Sequence, residues 1–181
     1  MSCRKLAQQQ HSHREGGFTL VEMMTTLVVA GILLASAVPS MQDFITRNRM
    51  SIEVNTFVAS LNLARSEAVK RIENVSLCPT TDFNSCSSDP NGWNLGWMVY
   101  ANNNTGAGFN SGQDIILQRN PSLPSRFTVD GTVNYITYNP TGQANGSHYL
   151  FCDNDGVAQD RNVVVSPEGR VRVEVNTGGC S

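Results

Sequence analysis

Two arginines near the C-terminus have the spacing needed to hold an anion together. They lie in Ser166-Pro167-Glu168-Gly169-Arg170-Val171-Arg172-Val173. Side chains two residues apart on a β-strand share one face and lie about 6 to 7 Å apart, so Arg170 and Arg172 could each reach a phosphate oxygen. The alternative is an ordinary polar strand face on which Glu174 neutralises one arginine. The residues alone favour that alternative, because the segment from Asp153 onward holds five acids against three arginines.

The other polar residues give little support to catalysis or metal binding. His148 is the only histidine after the N-terminal segment, and no nucleophile motif accompanies it. Asp153-Asn154-Asp155-Gly156 has part of the spacing of a calcium loop, but Val157 and Ala158 stand where further ligand and turn residues are needed, so a hairpin turn explains it better. We therefore expect no catalytic residue, no metal site and no cofactor, and we expect that the protein is not an enzyme.

The cysteines predict disulfides rather than a metal site. Cys3 precedes a long apolar segment, whereas Cys78, Cys86, Cys152 and Cys180 follow it. An even set beyond a membrane-targeting segment indicates two disulfides formed in an oxidising compartment. Of the three possible connectivities, closeness along the chain favours Cys78 with Cys86 and Cys152 with Cys180. Zinc is the competing interpretation, which the lack of any Cys-x-x-Cys pair disfavours.

One carboxylate, Glu22, lies inside the apolar segment from Phe18 to Val38. The segment has roughly the ~20 residues that a helix needs to cross the hydrocarbon core, and the basic residues before it favour a cytoplasmic N-terminus. A plain membrane anchor leaves Glu22 unexplained, because a carboxylate at bilayer depth is costly. A secretory signal peptide cut near Ala35-Ser36-Ala37 is a further alternative, although its apolar stretch is usually shorter.

The elements that must position these groups are one long helix and a set of short strands. Helical spacing of apolar residues continues after Pro39 and predicts one helix from Phe18 to about Glu73, bent at Pro39. Its apolar face comprises Met50, Val54, Phe57, Val58, Leu61, Ala64, Ala68 and Ile72. From Val75 onward, β-like runs separated by turn signals such as Asp130-Gly131 predict an α+β fold, with the long N-terminal helix packed on antiparallel sheet. The predicted strands are 76–78, 96–100, 114–118, 126–129, 133–138, 147–152, 162–165 and 170–175.

The stretch Gly17-Phe18-Thr19-Leu20-Val21-Glu22 resembles the leader junction of type IV prepilins and type II secretion pseudopilins. The resemblance implies that a prepilin peptidase cuts after Gly17, that the new terminal residue Phe18 is N-methylated, and that Glu22 is the fifth mature residue. The Glu22 carboxylate would then pair with the Phe18 amine of a neighbouring subunit during assembly. The implied division is a cleaved cytoplasmic leader (1–17), the membrane and filament-core half of the helix (18–38), its amphipathic half (39–73), and a β-rich periplasmic domain (74–181).

Two further stretches resemble the GspH/FimT branch of minor pilins and pseudopilins, and most of all its FimT and FimU types. They are the short Cys78–Cys86 loop followed by Trp93 and Trp97, which we expect to be packing residues, and Gly169-Arg170-x-Arg172. The second is similar to a motif of FimT-type pilins implicated in binding DNA for natural transformation. It implies sequence-independent contact with double-stranded DNA through Gly169, Arg170 and Arg172, with Arg161 and Arg126 as weaker additions.

The resemblance also implies where the protein works and with what. It implies a minor pilin that resides in the bacterial inner membrane and in the extracellular pilus, with other major and minor pilins as partners. A tip or priming pilin without DNA binding and a minor pseudopilin of type II secretion remain as alternatives. The formal net charge of -2 offers no general basic field, so any DNA contact has to be local.

Overall fold

The computed structural model describes residues 17–102, 108–175 and 180, without the side chains of residues 36–39. Residues 1–16 of the predicted leader lie outside this part, and so does the side chain of Pro39, so the bend at Pro39 stays a prediction. The chain divides into two compact units, Met1–Met41 and Gln42–Ser181. The second unit contains both sheets and the whole of the buried core.

One helix, α1 (Leu20–Arg71), runs from the first unit into the second. Its bounds lie two residues inside the predicted ones at each end. The helix ends where Ile72 adopts a left-handed φ of 58°, which interrupts the helical hydrogen bonds. Lys70 and Arg71 stand in the last turn, where cations suit the negative end of the helix dipole, and both pair with Glu67.

In the second unit, α1 buries one apolar face. The face consists of Met50, Val54, Phe57, Leu61, Ala64 and Ala68, each at most 2% exposed. Six of the eight predicted positions are thus confirmed, and Val58 is half-buried against the same core. The prediction for Ile72 is wrong, because the residue lies beyond the last helical turn and is 77% exposed.

The described residues form two antiparallel sheets of four strands each. The first has the order β3-β2-β1-β5, with β1 (Asn74–Pro79), β2 (Trp97–Asn102), β3 (Ile115–Asn120) and β5 (Ile136–Tyr138). The second has the order β4-β6-β7-β8, with β4 (Phe127–Gly131), β6 (Ser147–Asp153), β7 (Arg161–Val165) and β8 (Val171–Val175). Each predicted strand overlaps one of these, and the α+β prediction is confirmed.

Aromatic side chains from both sheets surround Phe57 of α1. Its ring packs edge-on against four others at centroid distances of 4.9 to 5.5 Å, those of Trp93, Trp97, Tyr149 and Phe151. The Trp97 indole N–H also donates to the Ser60 hydroxyl on α1 at 3.1 Å. Both tryptophans are therefore packing residues, as expected, and α1 is the element on which the two sheets meet.

The turn predicted at Asp130-Gly131 is wrong, because both residues belong to β4. Gly131 lies against the Trp93 indole, and a Cβ added there would be only 2.7 Å from the indole nitrogen. The glycine thus marks a close approach between a strand and a core side chain. The predicted turn at Asp153-Asn154-Asp155-Gly156 does connect β6 to β7, with Gly156 at a φ of 68°.

Two disulfides join the cysteines in the favoured connectivity. Cys78 of β1 pairs with Cys86 across a short loop, with Cα atoms 5.6 Å apart. Cys152 of β6 pairs with Cys180, with Cα atoms 6.0 Å apart, and this bond ties the C-terminal end of the chain to the second sheet. Since the sulfurs are bonded to each other, Cys152 and Cys180 offer no thiolate to a metal.

Candidate functional site

The first candidate site is the start of α1. The Thr19 hydroxyl accepts the backbone N–H of Glu22 at 3.2 Å, and this bond makes Thr19 the N-cap and Glu22 the third helical residue. This Thr-x-x-Glu spacing is that of a capping box, in which the negative side chain also suits the positive end of the helix dipole. Sequence reasoning had assigned Glu22 only an assembly role, although the capping signal was readable from Thr19.

Apolar side chains surround Glu22 along the first part of α1 and are exposed. Leu20, Leu27 and Leu34 are 63 to 76% exposed. An 18-residue window of this helix has a mean hydropathy of 2.0, so α1 is long and apolar enough to cross a membrane. Within the described residues no ion pair involves Glu22. The site therefore has the composition of a membrane or protein-covered segment with one exposed carboxylate.

The second candidate site is the hairpin between β7 and β8, which we call the arginine hairpin (Ser166–Arg172). Its turn is closed by two backbone hydrogen bonds, from Ser166 N–H to the Arg170 carbonyl at 2.9 Å and from Gly169 N–H to the Ser166 carbonyl at 2.8 Å. Gly169 has a φ of 74°, in the left-handed region that favours glycine. Gly169 thus occupies a position of this turn that only a residue with its conformational freedom adopts without strain.

The hairpin is braced by α1 and by the turn after β5. The Arg65 guanidinium on α1 donates to the Glu168 carbonyl at 3.2 Å, and Ala144 N–H donates to the Pro167 carbonyl at 3.0 Å. A Cβ at Gly169 would overlap the carbonyl oxygen of Gly142. Sequence reasoning missed Arg65, because a residue about a hundred positions away gives no local signal of this contact.

Arg170 and Arg172 border one shallow depression of about 360 Å³ on the outer side of this hairpin. Both are exposed. The guanidinium of Arg172 donates to the Glu174 carboxylate at 2.8 Å, with side-chain exposures of 69% and 49%. Both features that the sequence offered as alternatives are therefore present together. They are a pair of neighbouring arginines and a glutamate that neutralises one of them.

Arg161 does not join this pair. In the pairing of β7 with β8, Arg172 lies directly opposite Val164. Directly opposite residues of an antiparallel pair have their side chains on the same face of the sheet, so Arg172 shares a face with Val164. Arg161 is an odd number of positions from Val164, so its side chain lies on the other face of the sheet, where it borders a groove with Arg47. The expectation that Arg161 extends the same patch is wrong for this reason.

Arg126 is also unavailable to the patch, because it belongs to an internal ion pair. Its guanidinium donates to the buried Asp153 carboxylate at 3.0 Å and to the Thr46 hydroxyl of α1 at 3.1 Å. Burial opposes ionisation of Asp153, but hydrogen bonds from the Ala158 N–H and from Arg126 outweigh it, so the pKa of the Asp153 carboxyl is lowered. This carboxylate closes the β6–β7 turn, which supports a structural role over calcium binding.

Two family models match the chain. The model described as type II transport protein GspH matches residues 53–169, more than half of the chain, and the prokaryotic N-terminal methylation motif matches residues 12–38. The fimbrial protein EcpC of Eikenella corrodens is 46% identical over 39 residues. That match covers 22% of this chain and 26% of EcpC, so the chain spans about a quarter of that relative's length.

Two solved structures share the fold. The type IV minor pilin FimU of Pseudomonas aeruginosa superposes with a TM-score of 0.55 at 21% identity, over 72% of this chain and 92% of its own. The minor pseudopilin EpsH from the type 2 secretion system of Vibrio cholerae gives 0.50 at 12% identity, over 70% and 97%. At these identities the likeness concerns the fold.

The motif match thus covers the apolar N-terminal segment, and the family and fold matches cover the sheets. Pilins and pseudopilins are structural proteins that associate with one another, so the expectation that this chain is not an enzyme is confirmed. Its apolar N-terminal helix agrees with membrane anchoring in this family. The chain belongs to the GspH family, carries the prokaryotic N-terminal methylation motif and has the fold of minor pilins and pseudopilins.

Proposed function

We propose that this chain is a minor pilin that enters a type IV pilus and presents its arginine hairpin to DNA. The methylation motif over residues 12–38, a range that contains Gly17 and Glu22, is the observation that carries the first part. Prepilin peptidase cleaves after Gly17, Phe18 becomes the methylated terminus, and residues 18–38 hold the chain in the inner membrane. The unit Gln42–Ser181 then lies in the periplasm until assembly.

In this proposal Glu22 is an assembly contact. Cleavage creates a charged amine at Phe18, and the Glu22 carboxylate of one subunit pairs with the amine of its neighbour. The pairing removes two uncompensated charges from apolar surroundings at once. The exposed position of Glu22 among apolar side chains supports this role.

The variant Glu22→Gln separates assembly from helix capping. A capping box accepts glutamine at the third position, so this variant keeps the helix start and removes only the charge. We expect the full-length variant to insert and to be processed at Gly17, but to be depleted about tenfold or more from sheared pili, as loss of a buried ion pair predicts. Thr19→Ala is the matched control, because it weakens the cap and leaves the charge. Normal incorporation of Glu22→Gln would contradict the pairing.

The DNA contact rests on two exposed arginines held on a braced hairpin. A rigid turn loses little conformational entropy when its side chains bind phosphates. The pair formed by Arg172 and Glu174 is no obstacle, because exposed ion pairs contribute only about 0 to 1 kcal/mol and a phosphate oxygen can take the place of the carboxylate. Contacts of this kind are independent of sequence and sensitive to salt.

DNA binding is best measured on the unit Gln42–Ser181, which contains the entire buried core. We expect this unit to bind a DNA duplex of about two helical turns. The double variant Arg170→Ala/Arg172→Ala should bind about tenfold more weakly or worse. It should also reduce the slope of log affinity against log salt concentration by about 1 to 2. Arg49→Ala/Arg119→Ala is the matched control, since it removes two exposed arginines elsewhere and changes the net charge equally. Equal losses in both double variants would show that only net charge matters, and no binding by the unmutated unit would refute the DNA contact.

Glu174→Gln tests the same contact in the opposite direction. Removing this carboxylate frees the Arg172 guanidinium, so we expect tighter DNA binding by a few-fold at low salt. An unchanged affinity of Glu174→Gln together with an unchanged affinity of Arg172→Ala would mean that Arg172 does not contact DNA.

A second candidate is a minor pseudopilin of type II secretion, which the description of the matching family model and the likeness to EpsH favour. In that case the filament is a periplasmic pseudopilus and the arginine hairpin has no DNA to bind. Deletion of the gene distinguishes the two, because loss of surface pili supports the pilus and loss of protein secretion with normal pili supports the pseudopilus.

A further inference from the structure

A second pair of arginines borders a groove between α1 and the start of β7, which we call the helix groove. Arg47 of α1 and Arg161 of β7 both line it, and Gln159 adds a side-chain amide. The groove has a volume of about 270 Å³, and its apolar lining consists of Met50, Val157 and Ala158. It therefore presents two cationic groups beside apolar side chains.

Both arginines lie at the border of the buried core. Arg161 shares its face of β7 with the buried Val163 and Val165, because side chains two residues apart on a strand point the same way. Arg47 precedes the buried Met50 by three positions, so the two are neighbours on the surface of α1. Arginine suits such a border, because its long stem covers apolar surface while its charged head stays in solvent.

No acid neutralises the two guanidinium groups of the helix groove. Among the described residues, no ion pair or hydrogen bond engages the side chain of Arg47 or Arg161. Asp43, four residues before Arg47, is exposed. The carboxylate of Asp160 accepts the Asp153 backbone N–H at 3.2 Å. Two such guanidinium groups beside an amide suit an anion with several oxygens, such as a phosphate.

The surroundings of the helix groove favour a lipid as the source of this phosphate. Val175 lies directly opposite Arg161 in the pairing of β7 with β8, so the two share a face. Val175 is 46% exposed, and Val173 on the same face is 42% exposed. Arg47 follows Val38, the last residue of the proposed membrane segment, by nine positions. So short a tether gives the groove a high effective concentration of headgroups, and cations near a membrane anchor are attracted to anionic lipids.

We propose that the helix groove binds the phosphate group of an anionic phospholipid in the periplasmic leaflet, with Arg47 and Arg161 as its cationic ligands. The contact holds the unit Gln42–Ser181 at the membrane surface before assembly. The formal net charge of -2 gives no general attraction to an anionic membrane, so the contact depends on this local pair. The inference rests on the membrane anchoring by residues 18–38 proposed above and is independent of DNA binding.

Native mass spectrometry of the full-length chain in micelles of an uncharged detergent measures the contact. Titration with phosphatidylglycerol should give a one-to-one complex, which Arg47→Ala/Arg161→Ala weakens about tenfold or more. Phosphatidylcholine, whose headgroup has no net charge, should bind at least about tenfold more weakly than phosphatidylglycerol.

Arg49→Ala/Arg119→Ala is the matched control for this titration. It removes the same charge, and Arg49 lies two residues from Arg47 but about 200° around the helix, so the control should bind phosphatidylglycerol within about twofold of the unmutated chain. Equal losses in both double variants, or no complex with the unmutated chain, would overturn the proposal.

Two competitors separate the sources of phosphate. Glycerol phosphate has the anionic group without acyl chains, so it should displace phosphatidylglycerol only at about a tenfold higher concentration or more, and displacement at equal concentration would overturn the membrane assignment. DNA binding by the unit Gln42–Ser181 should be the same within about twofold in Arg47→Ala/Arg161→Ala, and a tenfold loss would assign the groove to DNA instead.

Fractionation of the producing cells tests the anchoring separately. We expect the full-length chain and Arg47→Ala/Arg161→Ala in the membrane fraction alike, because the apolar segment and not the groove inserts. Absence of the unmutated chain from that fraction would refute the proposed function, whereas a failed lipid titration with normal fractionation would overturn only the helix groove.

Discussion

Replacing Asp153 with alanine tests the contact that closes the second sheet and ties it to α1. The carboxylate is fully buried and accepts backbone N–H groups from Ala158 at 2.7 Å and Val157 at 3.0 Å. It also accepts the Arg126 guanidinium at 3.0 Å, and the same guanidinium donates to Thr46 of α1. The Asp153 side chain therefore connects the end of β6 to the turn that follows it and to Arg126, which in turn contacts the helix.

The expected loss follows from the partners that alanine leaves behind. The backbone N–H groups of Val157 and Ala158 lose their acceptor, at about 1 to 2 kcal/mol each, and the N–H of Asp155 loses a longer contact of 3.4 Å. The half-buried Arg126 retains the Thr46 hydroxyl and the exposed Asp155 carboxylate. We expect the free energy of unfolding to fall by about 3 to 5 kcal/mol, a large part of the ~5 to 15 kcal/mol typical of a domain. At about 2 to 4 °C per kcal/mol, the thermal midpoint should fall by about 6 to 20 °C.

The loss should also depend on pH in a definite direction. The pKa of the Asp153 carboxyl is lowered from its ordinary value of 3.8 in the folded protein. A lowered pKa contributes stability that is fully present above the unfolded pKa and is lost as pH falls through the folded pKa. The difference between the unmutated unit and Asp153→Ala should therefore be constant from pH 7 to about pH 5 and shrink below pH 4.

Urea and thermal unfolding of the unit Gln42–Ser181 measure this difference. Asp155→Asn is the matched control, since it removes a carboxylate from the same turn that is 65% exposed, and it should cost no more than about 0.5 kcal/mol. A loss below about 1 kcal/mol for Asp153→Ala, or one equal to that of the control, would refute the reasoning that the buried carboxylate holds this turn.

Three further substitutions follow from the same contacts. Phe57→Ala removes the ring on which four aromatic side chains pack, and urea unfolding should show a loss of about 3 to 5 kcal/mol, whereas a loss below 1 kcal/mol would contradict the core assignment. Gly169→Ala combines a left-handed φ with overlap on the Gly142 carbonyl, so the thermal midpoint should fall by several degrees; an unchanged midpoint would show that the hairpin relaxes. Cys152→Ser/Cys180→Ser should cost about 3 to 4 kcal/mol in urea unfolding, more than removal of the shorter Cys78–Cys86 loop at about 2.5 kcal/mol. The reverse order would contradict the loop-entropy argument.

The sequence alone predicted the features that depend on local pattern. The helix and all eight strands follow from periodicities of 3.6 and 2, and these describe which face of an element is apolar without reference to the rest of the chain. The cysteine pairing followed from closeness along the chain. The leader junction at Gly17 to Glu22 is a contiguous motif, so its likeness to prepilins could be read directly.

Only the tertiary structure decided which charges are free. Arg126, Arg161, Arg170 and Arg172 look alike in the sequence, but Arg126 is held by Asp153, a carboxylate that the sequence places 27 residues away. Strand register puts Arg161 on the opposite face from Arg172, and an ion pair occupies Arg172 itself. The sheets likewise decide which face of α1 is buried, because they cover the face that contains Phe57 and Leu61. Pairing and burial depend on contacts between distant residues, and local pattern carries no information about which of those contacts form.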